Sequence, residues 1–298
     1  MRYTDLHTSG ELRRRADKLL LWLRRCVVCP HTCGSDRTRE PGAFCRAGAR
    51  ARVASFGPHF GEEPPLVGHG GSGTIFFNRC NLRCVYCQNY DISQTDAGEE
   101  VSADELAEIM LRIQEMGCEN INFVSPTHYT PQIVDALDRA AARGLHIPIV
   151  WNTGTYERLA TLRMLNGVVD IYLPDTKYAD PAIGKRLSGI DDYPQFMRVA
   201  LREMHRQVGD LVTDERGVAV RGLMVRHLVL PEGLAGTAET MRFIAEELSP
   251  HTYVNVMGQY RPVYRAREFP EISRRATASE ITEALRLARA AGLRRLAL

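Results

Sequence analysis

A chain of 298 residues with 44% hydrophobic content is long enough for one large α/β domain and a small appendage. Its formal net charge of +2 points to neither a polyanionic partner nor an acidic substrate. No apolar run approaches the roughly 18 residues of a membrane span, and the opening MRYTDLHTSG has no secretion-signal architecture, so a cytoplasmic address without a membrane partner is expected.

Residues 1–25 read as a leucine-rich helix. Its basic clusters, Arg13 to Arg15 and Arg24 with Arg25, read as a solvated face, with RNA contact the lesser alternative, and no nucleic-acid partner is expected. Residues 26–72 are rich in Cys, Gly, Pro and Arg and lack periodicity, as expected of a metal-stapled N-terminal module. Within it, His59 and His69 read as loop residues. Gly68-His-Gly70-Gly71-Ser-Gly73 satisfies G-x-G-x-x-G but precedes a strand instead of opening a helix, so it reads as a flexible approach and not a dinucleotide site.

From residue 73 onward, short apolar runs alternate with amphipathic helices. Six strands are predicted: Thr74–Phe77, Ile121–Ser125, Ile147–Trp151, Val169–Leu173, Leu223–Leu230 and Tyr253–Met257. Ser102 with Glu105, Thr130 with Pro131, and Thr277 with Glu280 mark helix starts, while Gly117, Gly144 and Gly292 mark helix ends. Six units fall two short of a closed eight-stranded barrel. The expected fold is therefore α/β, a partial (β/α)6 TIM-like barrel over residues 73–298 with a lateral opening, preceded by the Cys-rich module of residues 1–72. The long segment of roughly 176–221 is expected to shape the substrate side.

Seven of the eight cysteines lie between Cys26 and Cys87, in two groups, which in a chain without a secretion signal favours metal binding over disulfides. Cys118 reads as a core thiol. Cys26, Cys29, Cys33 and Cys45 offer four soft ligands for zinc or an auxiliary [4Fe-4S] cluster, with His31 an alternative ligand. The second group is Asn78-Arg-Cys80-Asn-Leu-Arg-Cys84-Val-Tyr86-Cys87-Gln-Asn89, a C-x3-C-x2-C triplet directly after the first predicted strand. Three close thiolates suit a [4Fe-4S] cluster with one iron left open, and an open coordination site marks a catalytic centre.

This triplet, with an aromatic residue at Tyr86, resembles the signature of the radical S-adenosylmethionine (SAM) superfamily. The resemblance implies that the open iron is chelated by the amino and carboxylate groups of SAM. An electron then cleaves the S–C5′ bond to give methionine and a 5′-deoxyadenosyl radical that abstracts hydrogen. It also implies SAM as cofactor, and an electron donor such as a flavodoxin or ferredoxin as partner. Gly61-Glu-Glu-Pro-Pro65, Gly71-Ser-Gly-Thr-Ile-Phe-Phe77, Cys87-Gln-Asn-Tyr-Asp-Ile-Ser93, Pro126-Thr-His-Tyr129, Leu173-Pro-Asp-Thr-Lys177 and Asn255-Val-Met257 narrow the resemblance to pyruvate formate-lyase-activating-enzyme-like proteins of the PflX-type branch. That narrower likeness implies an oxidoreductase that abstracts hydrogen from a protein glycine, activating a glycyl radical enzyme, or from a smaller substrate. A non-catalytic iron-sulfur or zinc-binding adaptor associated with RNA is the alternative.

In a parallel barrel, residues at the carboxyl ends of the strands converge on one mouth. Ser125, Asn152, Thr153, Asp175 and Lys177 stand there, and together with Tyr86 they are the expected SAM-binding residues. His128, Arg226, Gln259 and Tyr260 are expected near SAM or substrate. No catalytic residue beyond the cluster ligands is expected. In characterised activases an Asp-Thr and an Asp-x-Lys at these strand ends help bind a monovalent cation. Here the first aspartate is Asn152, which removes one negative charge. The frequent Gly-Gly-Glu after the second strand is also replaced, by Val124-Ser-Pro-Thr-His128, which leaves Ser125 to meet the SAM amino group.

Overall fold

The computed structural model describes residues 2–297. Its strands are β1 (Ala51–His59), β2 (Ser72–Phe77), β3 (Glu99–Val101), β4 (Ile121–Val124), β5 (Ile149–Thr153), β6 (Ile171–Thr176), β7 (Val212–Thr213), β8 (Ala219–Leu228), β9 (Tyr253–Met257) and β10 (Arg295–Ala297). They form a sheet in the order β10-β9-β8-β6-β5-β4-β2-β1-β3, with β7 paired antiparallel to β8. Pairing is parallel from β2 through β10, and β1 runs antiparallel to both β2 and β3. The six predicted strands are the central six, β2, β4, β5, β6, β8 and β9, in the predicted parallel arrangement. Among the described residues the outer strands of the order, β10 and β3, do not pair with each other, so the barrel is open there, as expected.

β1 lies inside the stretch read as lacking periodicity. Gly57 and Pro58 within it argue against a strand, yet Pro is tolerated near a strand end, and half of β1 faces solvent instead of alternating with the core. The two ends of β5 and β6 also differ from expectation. β5 runs on through Asn152 and Thr153, and β6 through Asp175, so these residues finish their strands instead of following them.

Besides a small group of Leu23, Cys26 and Val28, two apolar clusters pack against the sheet. The larger lies between the sheet and its helices and includes Phe77, Phe123 and Trp151. The smaller gathers Val150, Ile171, Leu173 and Met224 around Leu66. Leu66 sits in the short helix Pro64–Val67, and its carbonyl accepts from Asn120 Nδ2 at 2.8 Å. The loop between β1 and β2 thus fills the concave side of the sheet beneath the strand ends. The glycine-rich approach to β2 is tightly packed and not flexible. A Cβ on Gly70 would stand 1.9 Å from the Gly117 carbonyl oxygen, and one on Gly73 would stand 2.1 Å from Ile113.

The predicted capping boxes at Ser102/Glu105 and Thr277/Glu280 are present. Thr130 differs: it is already helical, and its hydroxyl donates to the Thr127 carbonyl at 2.7 Å. Gly10, in the left-handed region at φ 72°, divides the N-terminal helix into Tyr3–Thr8 and Glu11–Leu21. The second piece packs on the helix Thr130–Ala142. Arg13 reaches Asp135 at 2.6 Å, and Arg15 donates to the Asn166 carbonyl at 2.6 Å. Part of the supposed solvated face therefore docks the helix onto the barrel. Among the described residues no helix is long and apolar enough to cross a membrane.

Candidate active site

The cysteine triplet leaves β2 on a loop fixed by two asparagines. Asn78 is fully buried and donates to the carbonyls of Ile92 at 2.8 Å and Thr95 at 3.0 Å. Asn81 donates to the Tyr156 carbonyl at 2.7 Å, while its own carbonyl lies 3.0 Å from His31 Nε2. Side chains that satisfy backbone groups in this way hold a loop without regular structure. Between them, Arg79 has a left-handed backbone at φ 69°. His31 is spent on this contact and on stacking against Phe44, with ring centroids 3.8 Å apart.

Cys80, Cys84 and Cys87 open onto one cavity of about 260 Å³. The sulfurs have hydrogen-bonding neighbours: Leu82 N at 3.4 Å and Asn81 Oδ1 at 3.9 Å for Cys80, Ser188 Oγ at 2.9 Å for Cys84 and Ser93 Oγ at 3.2 Å for Cys87. Burial pushes the Cys80 thiol up to about 12, with Cys84 beside it adding to the rise, and Cys87 is raised for the same reasons. Crowded, buried thiols resist ionisation, and iron that takes the sulfurs as thiolates removes that cost, so the donor set fits a cluster. Among the described residues no three His, Cys, Asp or Glu side chains converge tightly enough for a single metal ion. A four-iron cube, bound corner by corner, spaces its sulfurs more widely than one ion does.

The opposite wall is charged. Asp175 Oδ1 accepts from Arg226 Nε at 2.7 Å, and its Oδ2 accepts from Lys177 Nζ at 3.0 Å. Register explains the first pair, because Asp175 and Arg226 face each other across β6 and β8. Burial pushes Asp175 up, but the two cations outweigh it and hold the carboxyl below its ordinary value. Burial lowers Lys177 and Arg226, and the Asp175 charge more than offsets it, leaving both raised. Arg226 also donates to Asn152 Oδ1 at 2.6 Å and lies 3.4 Å from Glu62. Burial lifts Glu62 to about 7, against the pull of Arg226 and with the help of Glu63. Glu63 accepts from Asn255 Nδ2 at 2.9 Å.

The cavity brings together Tyr86, Ser125, Asn152, Thr153, Asp175, Lys177, Arg226 and Gln259 from the expected set, with Val124, Leu228 and Met257 as apolar lining. Thr153 turns its hydroxyl away, toward Glu157 Oε1 at 2.7 Å. Glu157 is fully buried, is raised by that burial, and also accepts from Thr127 at 2.7 Å and Trp151 at 3.1 Å. His128 and Tyr260 do not line the cavity. The His128 ring is buried, held down to about 3 by that burial, and sits 2.9 Å from the Asn78 carbonyl. Tyr260 donates to the Ile272 carbonyl at 2.7 Å and packs its ring edge against Tyr86. Sequence reasoning missed Glu62, Glu63, Glu157 and Ser188. The Glu-Glu-Pro-Pro run was visible, but nothing in it told that its loop folds beneath the strand ends.

The N-terminal cysteines form a separate group. Cys26, Cys29 and Cys45 are buried and Cys33 is half-buried, and all eight cysteines of the chain are free. Burial raises Cys29, and the neighbouring Cys45, Cys26 and Cys33 add to the rise. Arg37, 1% exposed, joins this group to the barrel by donating to the carbonyls of Ala47 at 2.9 Å, Gly48 at 3.0 Å and His128 at 2.7 Å.

Residues 74–215 match the Radical SAM superfamily. The chain belongs to that superfamily and is a radical SAM enzyme, a class whose members use a [4Fe-4S] cluster and SAM. It is 36% identical over 273 residues to an uncharacterized protein of Methanocaldococcus jannaschii, covering 89% of this chain and 74% of that one. It is 29% identical over 149 residues to the pyruvate formate-lyase-activating enzyme of Clostridium pasteurianum, covering 45% of this chain and 60% of that one. Among solved structures, Streptococcus suis SuiB bound to precursor peptide SuiA shares the fold, with a TM-score of 0.51 and 13% identity over 74% of this chain. This chain spans 46% of SuiB.

Proposed function

We propose that the chain cleaves SAM reductively at a [4Fe-4S] cluster held by Cys80, Cys84 and Cys87. The resulting 5′-deoxyadenosyl radical then abstracts hydrogen from a protein glycine, activating a glycyl radical enzyme such as pyruvate formate-lyase. The reading is carried by a single cavity that has three cysteine sulfurs on one side and the Asp175, Lys177, Arg226 and Asn152 network on the other. The sequence likeness to an activating enzyme supports the glycine substrate.

When bound, the cluster supplies the electron that breaks the S–C5′ bond. The chain's own residues bind and orient. Lys177 and Arg226 present positive charge to the SAM carboxylate, Ser125 meets its amino group, and Tyr86 and Asn152 complete the polar lining. Val124, Leu228 and Met257 exclude water from the nucleoside. Thr153 contributes through Glu157, His128 and Tyr260 support the cluster loop from behind, and Gln259 faces the substrate side. Arg226 bridges Asn152 and Asp175, so the guanidinium supplies the positive charge that a bound monovalent cation supplies elsewhere. In this reading Cys26, Cys29, Cys33 and Cys45, no three of which converge tightly enough for a single zinc ion, hold a second [4Fe-4S] cluster in a module of residues 1–72 whose strand β1 is built into the sheet of the barrel of residues 73–298. The reductant is a flavodoxin or ferredoxin in the cytoplasm.

The test is anaerobic reconstitution with iron and sulfide, followed by dithionite and SAM. Wild-type protein releases 5′-deoxyadenosine without added potassium or sodium, and Cys84→Ala releases none. A fully iron-loaded wild type that forms no product overturns the proposal.

A further inference from the structure

Ser188 stands 104 residues beyond Cys84 in sequence, and its hydroxyl lies 2.9 Å from the Cys84 sulfur. It is the last residue of the helix Pro181–Ser188, which Gly189 ends with a left-handed backbone at φ 76°. The same helix end is tied to the cysteine loop by the Val85 N–H, which donates to the Leu187 carbonyl at 2.9 Å. Behind Ser188 lies the Tyr178 hydroxyl at 2.7 Å, and behind that the Tyr86 hydroxyl at 2.6 Å. All three side chains are buried, and a phenol, with an ordinary pKa of about 10, keeps its proton at neutral pH.

Three hydroxyls carry three protons, and three contacts need one each. Once Cys84 is an iron-bound thiolate it can only accept. In the structure Ser188 donates to Cys84 and Tyr178 donates to Tyr86, so a proton in every contact requires the two phenol hydroxyls to turn until Tyr86 donates to Tyr178 and Tyr178 to Ser188. Hydrogen bonds that point the same way strengthen one another. The contacts on Cys80 and Cys87, at 3.4 and 3.2 Å, are longer; behind Cys87, Ser93 accepts from Gln94 Nε2 at 3.1 Å, a shorter relay on a half-buried serine.

We infer that Ser188 and Tyr178 are positioning residues that set the reduction potential of the cluster through Cys84. A donor to a cluster sulfur stabilises the reduced, more negative state more than the oxidised one, and so raises the potential. The inference rests on the cluster reading above and adds two residues outside the cysteine motif to it.

The experiment is an anaerobic dithionite titration of reconstituted protein without SAM, with the cluster followed by its electron paramagnetic resonance signal. Ser188→Ala is expected to lower the midpoint potential by on the order of 59 mV, a tenfold change in a one-electron equilibrium. Tyr178→Phe, which keeps the serine donor but removes the proton behind it, is expected to lower it by less. Ser188→Thr, which keeps a hydroxyl, stays near wild type. Should Ser188→Ala fail to load iron, Tyr178→Phe decides: a smaller negative shift supports the inference. Loaded Ser188→Ala or Tyr178→Phe with an unchanged potential overturns it. A wild type that binds no cluster overturns instead the reading on which it rests.

Discussion

The two cysteine groups share a ligand chemistry and differ in what surrounds it. Around Cys26, Cys29, Cys33 and Cys45 the protein closes in: three of the four are buried, Arg37 donates to backbone carbonyls and reaches the Cys26 sulfur at 3.9 Å, and a Cβ on Gly42 would stand 3.1 Å from the Cys45 sulfur. Around Cys80, Cys84 and Cys87 it opens into a cavity faced by Asp175, Lys177 and Arg226. Four ligands in a closed pocket satisfy a metal and leave nothing to react, whereas three ligands facing charged groups leave a coordination site and the means to orient what fills it. Both groups have a cation nearby, Arg37 for the first and Lys177 with Arg226 for the second, so what distinguishes the second is the open cavity between its sulfurs and those cations.

That contrast can be broken most sharply by exchanging the lesions. Cys80→Ala is expected to abolish 5′-deoxyadenosine formation, measured by chromatography after reduction. Cys29→Ser combined with Cys33→Ser is expected to lose the metal of the N-terminal group while dithionite-driven product formation continues. Equal loss in both variants would merge the two groups into one functional unit.

Arg226→Leu comes next in size. It leaves Asp175 with Lys177 alone and is expected to cost roughly 3 kcal/mol in denaturant unfolding, toward the low end for a broken buried ion pair because one partner remains. SAM affinity, measured by equilibrium binding, falls with it.

The smallest effect concerns Glu62, whose folded value of about 7 lies above its ordinary 4.5. A carboxyl raised in the folded state contributes stability that is present at low pH and lost as pH rises through about 7. Glu62→Gln is therefore expected to flatten the fall in melting temperature between pH 4.5 and 7. An unchanged slope would mean that Glu62 ionises freely beneath the site.

Much of the fold was legible because parallel strands buried on both faces leave largely apolar runs, as Ile121–Val124, broken only by Asn122, and the first three residues of Ile149–Thr153 do. Capping boxes such as Ser102 with Glu105 are local contacts between residues three apart, and sequence carries them intact. β1 was not legible, since its second half, Ser55–His59, pairs only with β2 and largely faces solvent, where Pro58 is tolerated. At the site, Asn152, Asp175 and Lys177 could be read from their places at strand ends. His128 and Tyr260 shared that signal and proved to be buried supports, because position along a strand end does not say which way a side chain turns.

The amino-acid sequence by itself determined the cysteine triplet, its place after a strand and the βα alternation that follows, since all of these depend on spacing along the chain. Tertiary structure alone decided that Glu62 comes beneath Arg226, that Glu157 takes the Thr153 hydroxyl, and that Ser188 reaches Cys84. Those contacts join residues that lie on different elements or turn to an unexpected face. Only the closing of long loops and the burial that accompanies it bring such groups within hydrogen-bonding range.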